Sequence, residues 1–522
     1  MLNILTFLLG FLCFARKEGG QTDCADIKLN STGNEAHCIG WDTTMQWAFY
    51  FVSYAMMKEA NVMENQLVMQ KAGAKAKEET NAHLSRVLKP IHLWALAVGL
   101  VISGNYFGWS YGFGAGGVMG LALALVPVTI FYVTFILSYS ELATAIPHAG
   151  GPSAYARRGL GKFWGYMSGI SCLIEFIFAP PAIALAVGGY IHNIFPDIPV
   201  MTATIFAFLL FIFINYWGMK VSATFELIVT VVALIGLVLY WILAVPHFEL
   251  SRIMSDPLLP NGFSGVMAAV PFAIWFYLAI EGGAMAAEEM VNPQKDISIG
   301  FLSGMGTLMI MAFLTLFLTA GITDVKLIEA VDFPLPLALS GIYGEGSFWV
   351  MLINFIGLFG LVASLHGIIV GYSRQTYAMA RTGYLPKFLA YVHPKHRTPV
   401  WGLVIPGIIG LGAALTGLTN VVITISVFGS VIMYLISLVS LFALRSKEPN
   451  LKRPFKVSYP VIPAISFIMA LFCLGSLFYT SSDAILSVVV VYALAVGYYF
   501  IWGNKKIRPF EEEFGVLKEL DE

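Results

Sequence analysis

Val101 to Gly117 reads VISGNYFGWSYGFGAGG, and Pro271 to Met290 reads PFAIWFYLAIEGGAMAAEEM. Each lies in an apolar run long enough to cross a bilayer, which takes about 20 mostly apolar residues. Each is also poorly suited to one continuous helix. The first crowds Gly104, Gly108, Gly112, Gly114, Gly116 and Gly117 around Ser103 and Asn105; the second carries Glu281-Gly282-Gly283 at its middle. Scattered glycines are common in membrane helices and often serve only close packing. Glycines clustered with a polar residue at mid-span differ, because unwound backbone in a bilayer survives only where it lines a cavity or is buried in protein. Two such interruptions in corresponding places point to a binding site between repeats.

Outward from these two stretches, twelve apolar segments follow residue 90: about 91–114, 117–138, 163–190, 200–218, 223–245, 265–287, 299–322, 348–373, 399–416, 420–444, 460–479 and 484–502. The interruptions fall in the first and the sixth. That spacing predicts two five-span inverted repeats, about 91–245 and 265–444, with extra helices at about 460–502. Lys and Arg give the orientation. With the start of the first span inside, the inner segments hold 24 of the 30 basic residues and the outer loops only Arg252 and Lys326. Positive charge collects on the cytoplasmic side, so both ends of the core, 85–505, and the tail, 506–522, are expected there, in a plasma or inner membrane.

Composition agrees. Of 522 residues 58% are hydrophobic and 12% charged, and the mean hydropathy is +0.77. Soluble domains carry about 25% charged residues, so a soluble enzyme is excluded. A net charge of −1 gives no basic excess for nucleic acid; the expected partners are membrane lipid and a small solute. No nucleophile–base set, metal-ligand spacing or phosphate-binding glycine loop is present, so neither an enzyme nor a resident cofactor or metal is expected. Residues 1–84 read as an accessory, membrane-associated extension. The apolar run 1–14 is short for a span and lacks the basic start of a signal peptide, so signal and anchor both stay open. Cys24 and Cys38 could pair in an oxidising compartment; Cys172 and Cys473 sit in apolar runs as buried small hydrophobes. Asn30-Ser31-Thr32 matches a glycosylation acceptor.

Four further stretches carry a resemblance. Ser140-Glu141-Leu142 through Pro147 to Gly151 and Tyr155 to Gly161, Glu288-Glu289-Met290-Val291-Asn292-Pro293, Ser373-Arg374 through Leu385-Pro386, and Thr398-Pro399-Val400 together resemble the amino acid–polyamine–organocation superfamily of secondary transporters. Ile174 to Ala184 and Phe276 to Gly282 are most similar to its ethanolamine permeases. The resemblance implies an all-α, twelve-span, LeuT-like fold and import of ethanolamine or a related small amine by alternating access, coupled to H+ or Na+. An amino-acid or polyamine transporter or exchanger is the alternative; a channel or receptor is the alternative from another class. Two departures matter. Asn105 and Tyr106 stand where amino-acid transporters of the superfamily carry small or aliphatic residues, which would crowd a substrate carboxylate. Ala233, seven residues after Glu226, stands where many relatives carry a Lys. Without that ammonium, either Na+ fills the space or a carboxylate carries a coupling proton.

Intramembrane ionisable residues are expensive to bury and therefore functional candidates. Glu281 is the first choice for pairing with a substrate ammonium or binding a proton. Ser103, Gly104, Asn105, Tyr106, Phe107, Trp275, Tyr277, Ala279, Ile280 and Gly282 complete the expected substrate site. Aromatic faces beside the breaks would add cation–π attraction of about 0.5–2 kcal/mol. Glu175 is either a proton carrier or a buried hydrogen-bonding group; Glu226 is a further coupling candidate, with a gate or structural contact as its other reading. Asn354 and Ser364 are candidate oxygens for an ion. Glu141, Glu288 and Glu289 read as loop contacts at cytoplasmic helix ends, and His366 as a satisfied core residue.

Overall fold

Backbone in a bilayer has no water to bond to, so runs of apolar residues settle as helices that satisfy their own N–H and C=O groups. The computed structural model describes residues 88–217, 222–254, 257–396, 398–480 and 482–509. The expectations for residues 1–84, Cys24, Cys38 and Asn30, and nearly all of the tail, lie outside the described residues. Fourteen α-helices of nine residues or more organise the described residues: α1 Pro90–Tyr106, α2 Tyr111–Ala145, α3 Pro152–Leu160, α4 Lys162–Ile194, α5 Val200–Tyr216, α6 Ser222–Ala244, α7 Gly262–Trp275, α8 Pro293–Ile322, α9 Pro334–Tyr343, α10 Phe348–Thr382, α11 Val400–Ala414, α12 Thr419–Lys447, α13 Val461–Thr480 and α14 Ser482–Ile501. A 3-10 segment, Ile280–Glu289, continues α7. Each apolar segment expected from the sequence contains helix, and the first and sixth are interrupted. Eight helical stretches are long and apolar enough to cross a membrane, and shorter apolar helices accompany them.

Start and stop signals are local. Proline opens α1, α3, α8 and α9, where a missing N–H costs nothing. Gly383, left-handed at φ 94°, ends α10.

Burial sorts the helices. α1 is buried on every side from Ala97 to Tyr106, as expected of a helix apolar all round. It packs on α8 and α10; α2 packs on α7, and α4 runs along α10 and α12. The exposed apolar side chains, such as Phe206, Ile228, Ile242, Ile310, Phe478 and Leu494, form the surface suited to lipid. Cys172 and Cys473 are buried and unpaired. At one end, the Leu88 N–H donates to the Glu289 carbonyl at 3.0 Å and the Val291 N–H donates to the Leu88 carbonyl at 2.9 Å. The start of the first interrupted stretch is thereby pinned to the end of the second.

Candidate functional site

Both interruptions are present; the first falls within its glycine cluster, and the second a few residues before Glu281-Gly282-Gly283. Ser103 to Tyr106 still belong to α1. The chain leaves the helix at Phe107, which is extended, and Gly108, at φ 87°, and α2 begins at Tyr111. Gly117, at φ 71°, then turns the chain between Tyr111–Gly116 and the long remainder of α2. The second helix ends at Trp275, not at Glu281. Ala279 follows at φ 74°, the one positive-φ residue other than glycine among those described. Glu281, Gly282 and Gly283 therefore lie in the tighter 3-10 segment after the break.

Gly104 explains how the two broken helices meet. A Cβ there would run into the Trp275 carbonyl oxygen, 3.1 Å from its carbonyl carbon and 3.4 Å from the Phe276 Cα. Only a residue without a side chain permits this backbone-on-backbone approach. Rings close over the contact: Phe107 meets Trp275 edge-on at 5.6 Å, and Trp109 stacks on Phe276 at 5.6 Å.

A narrow cavity, with room for about one water molecule, lies beside this crossing. Leu100, Val101 and Ser103 of α1 form one wall, Ala179 and Ile183 of α4 another, and Trp275, Leu278 and Ile368 the rest. Seven of these eight are apolar or aromatic. Of the residues expected to bind substrate, Ser103 and Trp275 face the cavity. Unsatisfied polar groups accompany the two breaks. The indole N–H of Trp275 and both side-chain atoms of Asn105 are buried without a hydrogen-bond partner among the described residues. The N–H groups of Gly108, Trp109 and Ser110 donate to no backbone carbonyl among the described residues.

Tyr106 is turned away from the cavity. Its hydroxyl donates to the Ala233 carbonyl of α6 at 2.6 Å, and the Tyr190 hydroxyl of α4 donates to the Tyr106 carbonyl at 3.0 Å. Held in this way, the Tyr106 ring is not among the residues lining the cavity. The two candidate ion ligands are engaged separately. Ser364 accepts from the Ser103 N–H at 3.0 Å and donates to the Gly99 carbonyl at 2.6 Å, whereas the Asn354 amide donates to the Tyr190 carbonyl at 3.1 Å.

The carboxyls form a second centre behind the breaks. Glu281, fully buried, does not line the cavity; its Oε2 accepts from the Tyr434 hydroxyl of α12 at 2.7 Å. Tyr434 lies 3.3 Å from the Tyr132 hydroxyl of α2. Tyr277 turns the same way, its hydroxyl 2.8 Å from Thr129. Glu175 faces Glu281 from α4, and neither of its oxygens has a hydrogen-bond partner among the described residues. Gly282 sits under the Phe176 ring. Glu226 is elsewhere, against Gly99 and Gly367, with both oxygens likewise unpartnered among the described residues. His366 is a satisfied core residue, 3.1 Å from the Asn215 amide.

The carboxylates at the basic end pair with arginines. Glu141, almost wholly buried, meets Arg445 at 2.7 Å and Arg453 at 3.3 Å and accepts from the Val457 N–H at 2.9 Å. Glu289 meets Arg374 at 2.8 Å, and Glu288 accepts from the Ala149 N–H at 2.8 Å. Sequence reasoning missed Tyr434, Tyr132 and the aliphatic cavity walls. A buried tyrosine hydroxyl needs a partner, but 23 tyrosines leave nothing to single out these two.

Interrupted helices crossing inside a chain of long apolar helices are the architecture of a membrane permease. The family model "Amino acid permease" matches residues 92–508. The chain belongs to the amino acid permease family. It is a multi-pass membrane transporter and not an enzyme. Among similar proteins is the branched-chain amino acid permease BcaP of Bacillus subtilis (strain 168), 26% identical over 450 residues, covering 81% of this chain and 94% of the relative. The methylthioribose transporter of the same organism is 24% identical over 445 residues, with the same coverage of 81% and 94%. An uncharacterized transporter of Rhizobium meliloti (strain 1021) is 29% identical over 408 residues, covering 76% and 87%. Two of these relatives are named for branched-chain amino acids and methylthioribose, and none of the three for ethanolamine.

Proposed function

We propose that this permease is a secondary active importer of a small amino acid with an apolar side chain. It would work by alternating access, in a cell membrane, with both ends of the core cytoplasmic. The carrying observation is the cavity at the crossing of the two breaks. The space there is closed down to about one water molecule, so a solute enters only as the two breaks move apart, and a small solute needs the least movement. The cavity walls are aliphatic, which suits a hydrocarbon side chain and leaves a bare ammonium without a charged partner. The two breaks supply the polar ends. Carbonyls at the end of α1 attract an ammonium, and the free N–H groups of Gly108 to Ser110 with the Trp275 indole N–H attract a carboxylate. BcaP transports branched-chain amino acids by its printed name, in line with the same class.

The fold proposed for this transport has twelve spans, two five-span inverted repeats plus α13 and α14. The breaks at 107–110 and 276–279 and the short helices α3 and α9 support it. Each short helix lies between the second and third members of its half. For coupling we favour a proton held between Glu175 and Glu281. The groups facing this pair are Tyr132, Tyr139, Tyr434, Tyr492 and Cys172. These are neutral phenols and a thiol, and two bare carboxylates in such surroundings repel each other.

Ethanolamine import is the second reading, favoured by the buried Glu281 carboxyl directly after the second break. Uptake of labelled leucine and labelled ethanolamine into proteoliposomes, each competed by the other, separates the two. Leucine uptake inhibited by valine and untouched by ethanolamine supports the amino-acid reading. Ethanolamine uptake without leucine uptake overturns it, and uptake of neither overturns both.

A further inference from the structure

The opposite end of the bundle from the arginine-rich loops is closed by residues 331–333, which lead into α9. Asp332 joins three elements there. Its Oδ1 accepts from the Tyr111 hydroxyl of α2 at 2.9 Å, and its Oδ2 accepts from the Thr419 hydroxyl of α12 at 3.3 Å. The Ser110 hydroxyl donates to the neighbouring Val331 carbonyl at 3.3 Å. On α4, a Cβ at Gly189 would lie 3.4 Å from the Asp332 Cβ and 3.3 Å from the Phe333 ring, so the loop sits directly on that helix. Ser110 and Tyr111 are the residues at which the chain re-enters a helix after the first break. Any tilt of Tyr111–Gly116 that opens the cavity toward this face must pull Tyr111 off Asp332.

We propose that Asp332 is the latch of the outer gate, and that the proton on its carboxyl sets how firmly the gate stays shut. This rests on the transport reading above and adds regulation to it. The titratable groups facing Asp332 are Tyr111 of α2 and Tyr190 of α4, phenols that are uncharged near neutral pH; Thr419 of α12 does not titrate. Burial, opposed by the hydrogen bonds from Tyr111 and Thr419, raises the Asp332 carboxyl from 3.8 to about 6. Opening exposes it to water and returns it toward 3.8. The closed gate therefore binds the proton more tightly than the open one. Acid favours closure, and the effect runs between about pH 6 and pH 4. A protonated acid keeps both contacts: one oxygen still accepts from Tyr111, and the O–H donates to Thr419. Asparagine mimics this neutral form.

The test reads gate opening without a transported solute. Ala179→Cys places a thiol in the cavity on a cysteine-free background, and a membrane-impermeant maleimide added outside reports its exposure. At pH 7.5 Asp332→Asn is expected to label more slowly than the parent, by up to about 100-fold. The parent-to-variant ratio, in which thiol chemistry cancels, is expected to shrink about tenfold at pH 5. Tyr111→Phe, which loses one latch contact without touching the carboxyl, is expected to label faster at both pH values. A ratio that stays constant with pH, or a Tyr111→Phe rate equal to the parent's, overturns the latch. Ile183→Cys serves as the reporter if Ala179→Cys fails to fold. Failure of leucine uptake with the labelling pattern intact would overturn the substrate assignment and leave the latch standing.

Discussion

Replacing Glu281 by Gln separates the two properties that meet in its side chain. The Tyr434 hydroxyl donates to Glu281 Oε2 at 2.7 Å, and glutamine, of nearly the same shape, offers one carbonyl oxygen for the same bond. The charge-assisted share is lost, and a neutral hydrogen bond is roughly half as strong, so stability should fall by no more than about 1 kcal/mol. Tyr434→Phe instead removes the donor and strands a buried carboxyl, at about 1–3 kcal/mol. Thermal denaturation in detergent should rank wild type above Glu281→Gln above Tyr434→Phe. Transport should respond in a different order. Glutamine carries no transferable proton. With one proton per solute, a gradient of one pH unit supports about tenfold accumulation, since one pKa unit is about 1.4 kcal/mol. Glu281→Gln should lose that accumulation in proteoliposomes held one pH unit more acidic outside, while counterflow at equal pH persists. Near-tenfold accumulation by the glutamine variant would refute the coupling role. A denaturation midpoint as low as that of Tyr434→Phe would refute the hydrogen-bond reasoning.

Gly104→Ala forces a methyl into the Trp275 carbonyl, where backbone on both sides cannot yield. It should cost about 1–3 kcal/mol and reduce uptake to background, read by midpoint and initial rate together. Glu141→Ala strips the carboxylate from Arg445 and Arg453 and the acceptor from the Val457 N–H; a loss of about 3–5 kcal/mol should appear as a lower midpoint, with Glu141→Gln in between. His148, in the loop after α2, accepts from the Gly150 N–H at 2.9 Å. Burial, aided by Arg381 and Arg157 against Glu288, pushes its imidazole from 6.5 down to about 4. Its contribution is complete above about pH 6.5 and is lost as pH falls toward 4, by about 3 kcal/mol. His148→Gln should flatten that part of the stability profile between pH 7.5 and 4.5.

Much of the site was legible one residue type at a time. Glycine at 104 and 108 and the carboxylate at 281 marked the two breaks, because a bilayer tolerates such residues only where function or close packing requires them. Their partners were not legible. Glu281 was expected to face the solute, yet it lies beyond the left-handed turn at Ala279 and in the 3-10 segment. Both change the direction in which side chains leave the chain, and the carboxyl is turned toward Tyr434 and Glu175. Tyr106 was expected to crowd the cavity, yet a carbonyl 127 residues away, at Ala233, holds its hydroxyl. The cavity walls Leu100, Ile183 and Ile368 belong to the same residue types as the lipid-facing Ile228 and Ile310.

The sequence by itself determined that the chain is a bundle of membrane helices, with two interruptions and sorted basic loops. Those properties follow from each segment's own exchange between water and bilayer. Only the tertiary structure decided which polar groups meet. It set the cavity apart from the carboxyl pair, closed the basic end on Glu141 and the other on Asp332. A partner is chosen by the rotation of helices from distant parts of the chain, and no local pattern encodes that.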